Sequence, residues 1–295
     1  MDGGRIRAAS GCLLRLAGVW ILGLLIAGAP RAYPQNKADC LACHADHSLT
    51  GTKGGKSVPL YVDAQAFARS AHADLDCIAC HEGFNPADLP HARKIKPVNC
   101  LGCHSDPGIE KYGTSVHALR QKGGKIAAQC ADCHSAHAVR KLSELTPADR
   151  KQFALETCGK CHSDAEQHYM LSDHGRALAA GEQGAPSCID CHDEHEVMSP
   201  SDANAETSKK KEAEMCLRCH RDNPEVRARV GPSAKFISSY ENSVHAHAVM
   251  NGNVAAPTCT DCHGGHELRK GSDPASKVAK PNIAATCGRC HQDIL

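Results

Sequence analysis

Cysteine and histidine supply most of the reactive side chains in this sequence. Its 295 residues include 19 cysteines and 20 histidines, and 18 of the cysteines fall into nine Cys-x-x-Cys-His motifs, numbered here 1 to 9 in chain order. Two thiols at this spacing can form thioether bonds to the two vinyl groups of a haem, and the adjacent imidazole can then bind the iron. Each motif therefore predicts one covalently attached haem c, nine in total.

The nine motifs define two sets of predicted site residues. The cysteines predicted to attach haem are Cys40, Cys43, Cys77, Cys80, Cys100, Cys103, Cys130, Cys133, Cys158, Cys161, Cys188, Cys191, Cys216, Cys219, Cys259, Cys262, Cys287 and Cys290. The predicted proximal iron ligands are His44, His81, His104, His134, His162, His192, His220, His263 and His291.

Three other kinds of site share part of this pattern. A disulfide framework suits an exported, cysteine-rich chain, but it gives no reason for a histidine after every second cysteine. A zinc site needs four ligands, which usually come from two Cys-x-x-Cys units or from histidines at wider spacing. Redox-active dithiols do not occur in sets of nine. The sequence therefore favours covalent haem.

Eight of the remaining histidines recur at fixed places relative to the motifs, and a ninth follows motif 2. Leading histidines precede even-numbered motifs in the pattern Tyr/Phe-x-x-Ser-x-His, and trailing histidines follow a motif histidine by three residues. The leading histidines are His72, His117, His174 and His245, the trailing histidines are His47, His137, His195 and His266, and His91 stands after motif 2, which lacks a trailing histidine. We expect all nine to be distal iron ligands, which leaves His168 and His247 spare.

A histidine on each face of every iron would restrict the chemistry. A trailing histidine lies about one turn from its own proximal histidine, so we expect it to serve a neighbouring haem. For the haem of motif 9 we expect the nearest upstream trailing histidine, His266, to be that ligand. Six-coordinate, low-spin iron has no vacant position for a substrate, and its geometry changes little on reduction. The pattern therefore predicts electron transfer, with no catalytic residues.

The composition leaves little material for a conventional core. Aromatic residues make up only 3% of the chain, so haem must supply much of the apolar surface. Residues 37–295 form the predicted haem domain, with about 29 residues per haem, and odd motifs recur about every 58 residues, which indicates four and a half two-haem repeats. The predicted fold is mostly irregular with short α-helices, elongated and wrapped around a haem stack.

Local signals predict few regular elements. Thr146, Pro147 and Asp149 have the N-cap, first-turn and capping-box positions of a helix start. Further predictions are a helix over Glu206–Met215, a cap at Asp63 for a helix carrying Phe67 and His72, and loops at Gly51–Pro59, Gly181–Pro186 and Ser199–Lys211. No segment shows the alternating pattern of a strand.

Residues 1–32 have the outline of a secretory signal. Three arginines precede a 14-residue apolar run from Leu16 to Ala29, and an extension back to Gly11 gives 19 residues. A membrane span needs about 20 residues, so the segment is either cleaved or retained as an inner-membrane anchor over residues 11–29. Both outcomes predict export to the periplasm. Cys12 precedes the apolar run, which does not fit a lipoprotein attachment site.

The combined pattern resembles known cytochromes. The Ser-Val-His and Cys-x-x-Cys-His-x-x-His sequences at His117–His137 and again at His245–His266, with the repeat of about 58 residues, resemble the periplasmic decahaem cytochromes of extracellular electron-transfer chains. They are also similar to the small pentahaem donor of the periplasmic nitrite reductase system. The resemblance covers residues 37–295 and implies an elongated electron wire, which in some decahaem members is threaded into an outer-membrane porin. This chain departs from that family in having nine motifs.

Three functions fit these features. The first is a periplasmic electron carrier that takes electrons from a quinol-oxidising cytochrome and passes them to a periplasmic reductase or an outer-membrane conduit. The second is a reductase of nitrite, hydroxylamine or a sulfur oxyanion, which would need one five-coordinate haem, with His168 or His247 as candidate active-site residues; the Cys-x-x-Cys-Lys motif that often marks such a haem is missing. The third is a membrane-anchored quinol dehydrogenase, which requires that the segment before Pro30 is retained.

Charge restricts the choice of partners. The formal net charge of +1 shows no basic excess of the kind that binds nucleic acid. Loss of residues 1–32 would leave a formal charge of −2, and two propionates per haem would make the holoprotein more acidic. We therefore expect basic docking patches on the redox partners, and association that weakens as salt concentration rises.

Overall fold

The computed structural model describes residues 36–85, 91, 95–122, 128–230 and 234–294. Over these ranges the chain forms short helices and one two-stranded sheet, joined by turns and irregular segments, as the sequence predicts. Within the same ranges, no helix has both the length and the apolar character needed to cross a membrane. The predicted signal or anchor segment lies outside the described residues.

The α-helices follow one another along the chain. Their bounds are Lys37–His44, Ala64–Ala68, Pro107–Glu110, Val116–Lys122, Cys130–His134, Pro147–Gly159, Ser163–Met170, Asp173–Ala179, Cys188–His192, Glu212–His220, Pro224–Val230, Ala234–Glu241, Val244–Met250, Cys259–His263 and Ile283–Gly288. Short 3-10 helices lie at Cys77–Ala79, Cys100–Gly102, Lys111–Thr114, Leu142–Glu144, Lys280–Asn282 and Gln292–Ile294.

The described residues divide into two compact units. The first unit takes in the residues up to Tyr61 together with those of Asp76–Val98, and it contains motifs 1 and 2. The second unit takes in Val62–Leu75 and the residues from Asn99 onward, and it contains motifs 3 to 9. The leading residue His72 therefore belongs to the unit of motif 3, although it precedes motif 2 in the sequence.

A β-hairpin occupies the segment predicted as a loop at Gly51–Pro59, and this prediction was wrong. Strands Thr50–Lys53 and Lys56–Pro59 pair antiparallel, with Thr50 opposite Pro59. Gly54 and Gly55 both have positive φ, +57° and +77°, which suits the tight turns that join antiparallel strands. The strands carry mostly Thr, Lys and Ser, so they lack the apolar alternation by which a strand is read from sequence.

The helix prediction at Thr146 was confirmed, and the one at Asp63 was confirmed for the cap and for Phe67 but was wrong for His72. Thr146 caps the helix Pro147–Gly159, with the reciprocal bonds of a capping box to Asp149, and Asp63 caps Ala64–Ala68. The helix predicted over Glu206–Met215 begins only at Glu212, because turns occupy the residues before it. His72 lies beyond the end of Ala64–Ala68, so that helix carries Phe67 alone.

The buried apolar core of the chain is small. Its central cluster in the second unit consists of Leu155, Tyr169, Leu178 and Ala185. Most other buried residues are alanine, serine or threonine, and Ser115 and Ser172 are fully buried. Small residues bring backbone segments close together but bury little apolar area. The core therefore positions segments of chain around the motifs and contributes only modestly to hydrophobic stabilisation.

Candidate haem-binding sites

Motifs 4, 6 and 8 each form a single helical turn that presents all three reactive side chains. The helices Cys130–His134, Cys188–His192 and Cys259–His263 begin at the first cysteine and end at the histidine. Each has a capping box in which the aspartate at the third position accepts from the backbone N–H of the N-cap residue. Residues three and four apart share one face of a helix, so the two thiols and the imidazole point to the same side.

The residue after each of these histidines has a positive φ. It is Ser135 at 68°, Asp193 at 64° and Gly264 at 85°. This backbone region strongly favours glycine, and it ends the helix with an abrupt change of direction. The Asp193 carboxylate accepts hydrogen bonds from the next backbone N–H groups, including that of His195 at 3.1 Å. The turn thus directs each trailing histidine away from its own motif.

A serine positions each leading histidine, and it is buried at Ser70, Ser115 and Ser172. Ser172 caps the helix Asp173–Ala179, accepting from the N–H of Gly175 at 3.0 Å and donating to the carbonyl of Tyr169 at 2.6 Å. Ser115 accepts from the N–H of His117 at 3.1 Å, and Ser243 caps the helix that carries His245. The serine of the leading pattern therefore fixes the first turn of the helix on which the histidine stands.

The tyrosine of the leading pattern connects that helix to the motif that follows it. The hydroxyl of Tyr112 donates to the carbonyl of Ala128 at 2.6 Å, and that of Tyr240 donates to Pro257 at 3.2 Å. Tyr169 donates in the same way to Pro186. Each acceptor stands two residues before the first cysteine of an even motif. The sequence showed the aromatic residue but not this partner.

Seven pairs of imidazole rings are brought together among the described residues. Each pair joins a motif histidine to one of the histidines predicted as distal ligands. The centroid distances are 6.1 Å for His44–His91, 5.9 Å for His72–His104, 6.2 Å for His117–His162, 6.0 Å for His134–His195, 5.9 Å for His174–His220, 6.0 Å for His192–His266 and 5.9 Å for His245–His291.

This separation fits an iron atom between the two rings. Metal–imidazole bonds are about 2 Å long, and two of them in line place the ring centroids about 6 Å apart. Direct ring stacking would bring the centroids closer, as in the 3.7 Å contact between His47 and Tyr61. By contrast, the described residues contain no group of three or more His, Cys, Asp or Glu side chains that could hold a bare metal ion.

The pairs in the second unit follow two rules. A leading histidine precedes an even motif and pairs with the histidine of the odd motif that follows that even motif. His174, for example, precedes motif 6 and pairs with His220 of motif 7. A trailing histidine pairs with the even motif two places earlier, as His195 does with His134 of motif 4. His266 accordingly lies beside His192, and His245 lies beside His291 of motif 9. The sequence-based choice of His266 for motif 9 was therefore wrong.

Several of these imidazoles are held neutral, the form that can bind iron. Burial, with a contribution from His220, lowers the pKa of His174 to about 4. Burial is also the first cause of the lowered pKa of His134 and His192. The Nδ1 atom of His44 lies 2.8 Å from the carbonyl of Leu60, which can only accept, so Nδ1 donates to it and Nε2 is the nitrogen left to bind iron.

The remaining histidines have different surroundings. His47 is exposed and stacks on Tyr61. His168 and His247 are exposed on the helices Ser163–Met170 and Val244–Met250. His263 of motif 8 is exposed, whereas the equivalent His134 and His192 are half-buried. His81 stays a predicted proximal ligand of the motif 2 haem, and His47 and His137 stay predicted distal ligands of neighbouring haems.

Thiols of successive motifs lie next to one another. In the first unit, burial and then the neighbouring Cys40 raise the pKa of Cys77 to about 11. In the second unit the first cysteines of motifs 3 and 4, of 5 and 6, and of 7 and 8 are hydrogen-bonded pairs: Cys100–Cys130, Cys158–Cys188 and Cys216–Cys259. Burial raises the pKa of Cys133, Cys191 and Cys262, and a nearby cysteine of the next odd motif adds to each shift. Motifs 3 to 9 therefore lie next to one another in space in the same order as in the chain.

Comparison with known proteins gives matches of one class. Residues 51–151 match the class III cytochrome c family, and residues 178–225 match the doubled CXXCH motif. The chain is 26% identical over 205 residues to multiheme cytochrome MtrA of Shewanella baltica, an alignment that covers 63% of this chain and 53% of MtrA. The chain is a multihaem c-type cytochrome.

A second relative of this cytochrome is the high-molecular-weight cytochrome c of Nitratidesulfovibrio vulgaris. The two are 27% identical over 188 residues, which cover 53% of this chain and 30% of that protein. The cytochrome thus spans about half the length of MtrA and less than a third of the second relative. No solved structure matches it significantly. The chain binds haem c, and the paired imidazoles fit that group.

Proposed function

We propose that the cytochrome is a periplasmic electron carrier with nine covalently attached haems. The observation that carries this proposal is the set of seven imidazole pairs. Each pair contains one motif histidine, and its ring centroids are close to 6 Å apart. Histidine on both faces of an iron leaves no position for a substrate. Such a haem accepts and donates electrons through its exposed edge and performs no bond chemistry.

The order of the motifs supports a continuous path for electrons. In the second unit each motif from 3 to 8 has a thiol close to a thiol of the next motif, and each such thiol would be attached to a haem. Haems attached to adjacent sulfurs lie near one another. Electrons can therefore pass from one to the next without a mobile carrier.

The proposed partners follow from charge and from the predicted export. A quinol-oxidising cytochrome would reduce the chain, and a periplasmic reductase or an outer-membrane conduit would oxidise it. The propionates make the holoprotein acidic, so basic surfaces on the partners favour docking. The rate of electron exchange with either partner should fall as ionic strength rises from about 10 to 200 mM, because screening shortens the range of the attraction.

Intact mass and redox titration of the mature holoprotein test this function. The expected mass is that of the polypeptide plus nine haems, and N-terminal sequencing shows whether residues 1–32 have been removed. Titration should show reversible one-electron steps over a broad, low range of potential, and the reduced protein should not turn over nitrite, hydroxylamine or sulfite. Eight or fewer haems in fully matured protein, or steady turnover of one of those substrates, would overturn the proposal.

A further inference from the structure

Glu212, at the start of the helix that carries motif 7, is a charged side chain in the interior of the second unit. It is 4% exposed, and no other Asp, Glu, Lys or Arg side chain whose burial the structure describes is buried. Removing a carboxylate from water is unfavourable unless hydrogen bonds or a counter-ion replace its hydration. The groups around Glu212 therefore decide what its charge does.

Two threonines of motif 8 satisfy this carboxylate. Its Oε1 atom accepts from the backbone N–H of Thr260 at 2.6 Å, and its Oε2 atom accepts from the hydroxyls of Thr258 at 2.9 Å and Thr260 at 3.0 Å. An ionised carboxylate can only accept, so three donors suit it. No described Lys or Arg forms an ion pair with it, although Lys209 pairs nearby with Asp261. Hydrogen bonds hold this negative charge, and no counter-ion cancels it.

The charge acts on the sulfur atoms of two motifs. Glu212 stands four residues before Cys216, on the same face of the helix, and Cys216 is hydrogen-bonded to Cys259 of motif 8. That hydrogen bond and burial are the first causes of the raised pKa of Cys216, and the negative charge of Glu212 adds to the shift. Burial raises the pKa of Tyr240 to about 12, with contributions from Cys259 and Glu212. The field of the carboxylate therefore reaches the sulfurs that would attach the haems of motifs 7 and 8.

The preceding repeat has an uncharged residue at this place. Ala154 stands four residues before the first cysteine of motif 5, as Glu212 does before that of motif 7, and it is also buried, at 8% exposed. Ile189 of motif 6 takes the place of Thr260, so that repeat lacks the hydroxyl donor as well. The carboxylate and one of its donors thus occur together in motifs 7 and 8 and are both missing from motifs 5 and 6.

The other charges of these two repeats are more alike. Lys151 and Lys209 each stand seven residues before the first cysteine of an odd motif, and they pair with the capping-box aspartates Asp190 and Asp261 of the next even motif. Each of these pairs is neutral. Another carboxylate, Glu166, acts on the first thiols of motifs 5 and 6, but it is partly exposed, so water screens it. Burial without a counter-ion therefore distinguishes Glu212.

We propose that Glu212 is a tuning residue that lowers the midpoint potentials of the haems attached at motifs 7 and 8. This inference rests on the proposed electron-carrier function and names a residue that sets two of its redox steps. Ferric haem carries one more positive charge than ferrous haem, so a buried carboxylate nearby favours the oxidised form. Each reduction moves one electron to the iron from the donor cytochrome or a neighbouring haem, and the carboxylate itself is unchanged.

The test compares midpoint potentials in mature, nine-haem protein. Glu212→Gln keeps the size of the side chain and removes its charge, so the haems of motifs 7 and 8 should become easier to reduce. We expect the reduction equilibrium constant of each to rise about tenfold, which is about 59 mV for one electron. Redox titration followed by visible absorption and by electron paramagnetic resonance measures the shift, and the remaining haems should keep their potentials.

Three variants separate charge from packing. Glu212→Asp keeps the charge on a shorter side chain and should keep most of the parent titration curve. Glu214→Gln removes the charge of a largely exposed residue and should leave every potential unchanged. The reciprocal change, Ala154→Glu with Ile189→Thr, brings the carboxylate and its donor to motifs 5 and 6 and should lower the potentials of their haems.

The outcomes distinguish this inference from the proposed function. A nine-haem Glu212→Gln protein with the parent titration curve would overturn the inference and leave the electron carrier intact. Equal shifts in Glu212→Asp and Glu212→Gln would also overturn it, because the contacts to Thr258 and Thr260 rather than the charge would then set the potentials. Fewer than nine haems in the mature parent protein would instead count against the proposed function.

Discussion

The imidazole rings of His117 and His162 lie 6.2 Å apart, although the whole of motif 4 stands between them in the chain. Ser115 holds the first turn on which His117 stands, and Tyr112 connects that segment to the backbone before motif 4. The leading histidine thus reaches past its own motif to the next odd motif. If both imidazoles bind one iron, as we propose, this crossing joins motif 5 to the segment before motif 4.

Removal of His117 should open one haem. In His117→Ala the haem of motif 5 loses its sixth ligand, so about one-ninth of the iron should become high-spin in addition to any signal of the parent protein. Thioether attachment at Cys158 and Cys161 should persist, so the mass of nine haems should be unchanged. Ferric electron paramagnetic resonance measures this. His168→Ala, at an exposed residue, is the control and should leave the spectrum as it was.

Loss of the Tyr169 hydroxyl should destabilise the second unit. Tyr169→Phe keeps the buried ring but leaves the carbonyl of Pro186 without its donor, which should lower the free energy of unfolding by about 1 kcal/mol. Urea titration of the ferric protein at pH 7 measures the change. Tyr61→Phe keeps the stacking on His47 and should be neutral. Equal loss in both variants would show that the hydrogen bond is not the cause.

Glu212 joins motif 7 to motif 8. Its buried carboxylate accepts from the hydroxyl of Thr258 at 2.9 Å and from the backbone N–H of Thr260 at 2.6 Å. Glu212→Gln replaces one acceptor oxygen with a donor, and hydrogen bonds to charged groups contribute more than neutral ones, so the free energy of unfolding should fall by about 2 kcal/mol. Glu214→Gln, two residues away and largely exposed, should change it by less than about 0.5 kcal/mol.

Glycine should relieve backbone strain at Ser135. A serine with φ 68° and ψ 160° stands in a region that costs about 1–3 kcal/mol for residues with a side chain, so Ser135→Gly should raise the free energy of unfolding. Asp193→Gly should not, because the Asp193 carboxylate accepts backbone hydrogen bonds that glycine cannot replace. Stabilisation by both substitutions would show that those hydrogen bonds contribute little.

Truncation before Ala284 should show that His245 and His266 serve different haems. It removes motif 9 and His291, so the protein should carry eight haems and His245 should lose its partner. Because His266 pairs with His192, the haem of motif 6 should stay low-spin. Spectral change at a second haem would indicate that His266 serves another iron. We also expect exchange with one of the two redox partners to be largely lost.

The sequence by itself determined the chemistry of attachment. Cys-x-x-Cys-His fits within a single helical turn, so the positions of both thiols and the proximal imidazole follow from local spacing alone. The leading serine pattern was equally visible, because an N-cap acts on a backbone N–H two or three residues away, as Ser172 does on Gly175. Helix caps at Thr146 and Asp63 were predicted for the same reason.

Only the tertiary structure decided which histidine faces which. His266 is nearer to motif 9 than to motif 6 in the chain, yet it lies beside His192, because the turn at Gly264 and the backbone contact from Asp173 to Leu268 carry it back to the previous repeat. The hairpin at Thr50–Pro59 was likewise hidden, since pairing between its polar strands comes from the turn at Gly54 and Gly55 and leaves no apolar pattern. Long-range pairing depends on where the backbone turns, and spacing along the sequence does not encode that path.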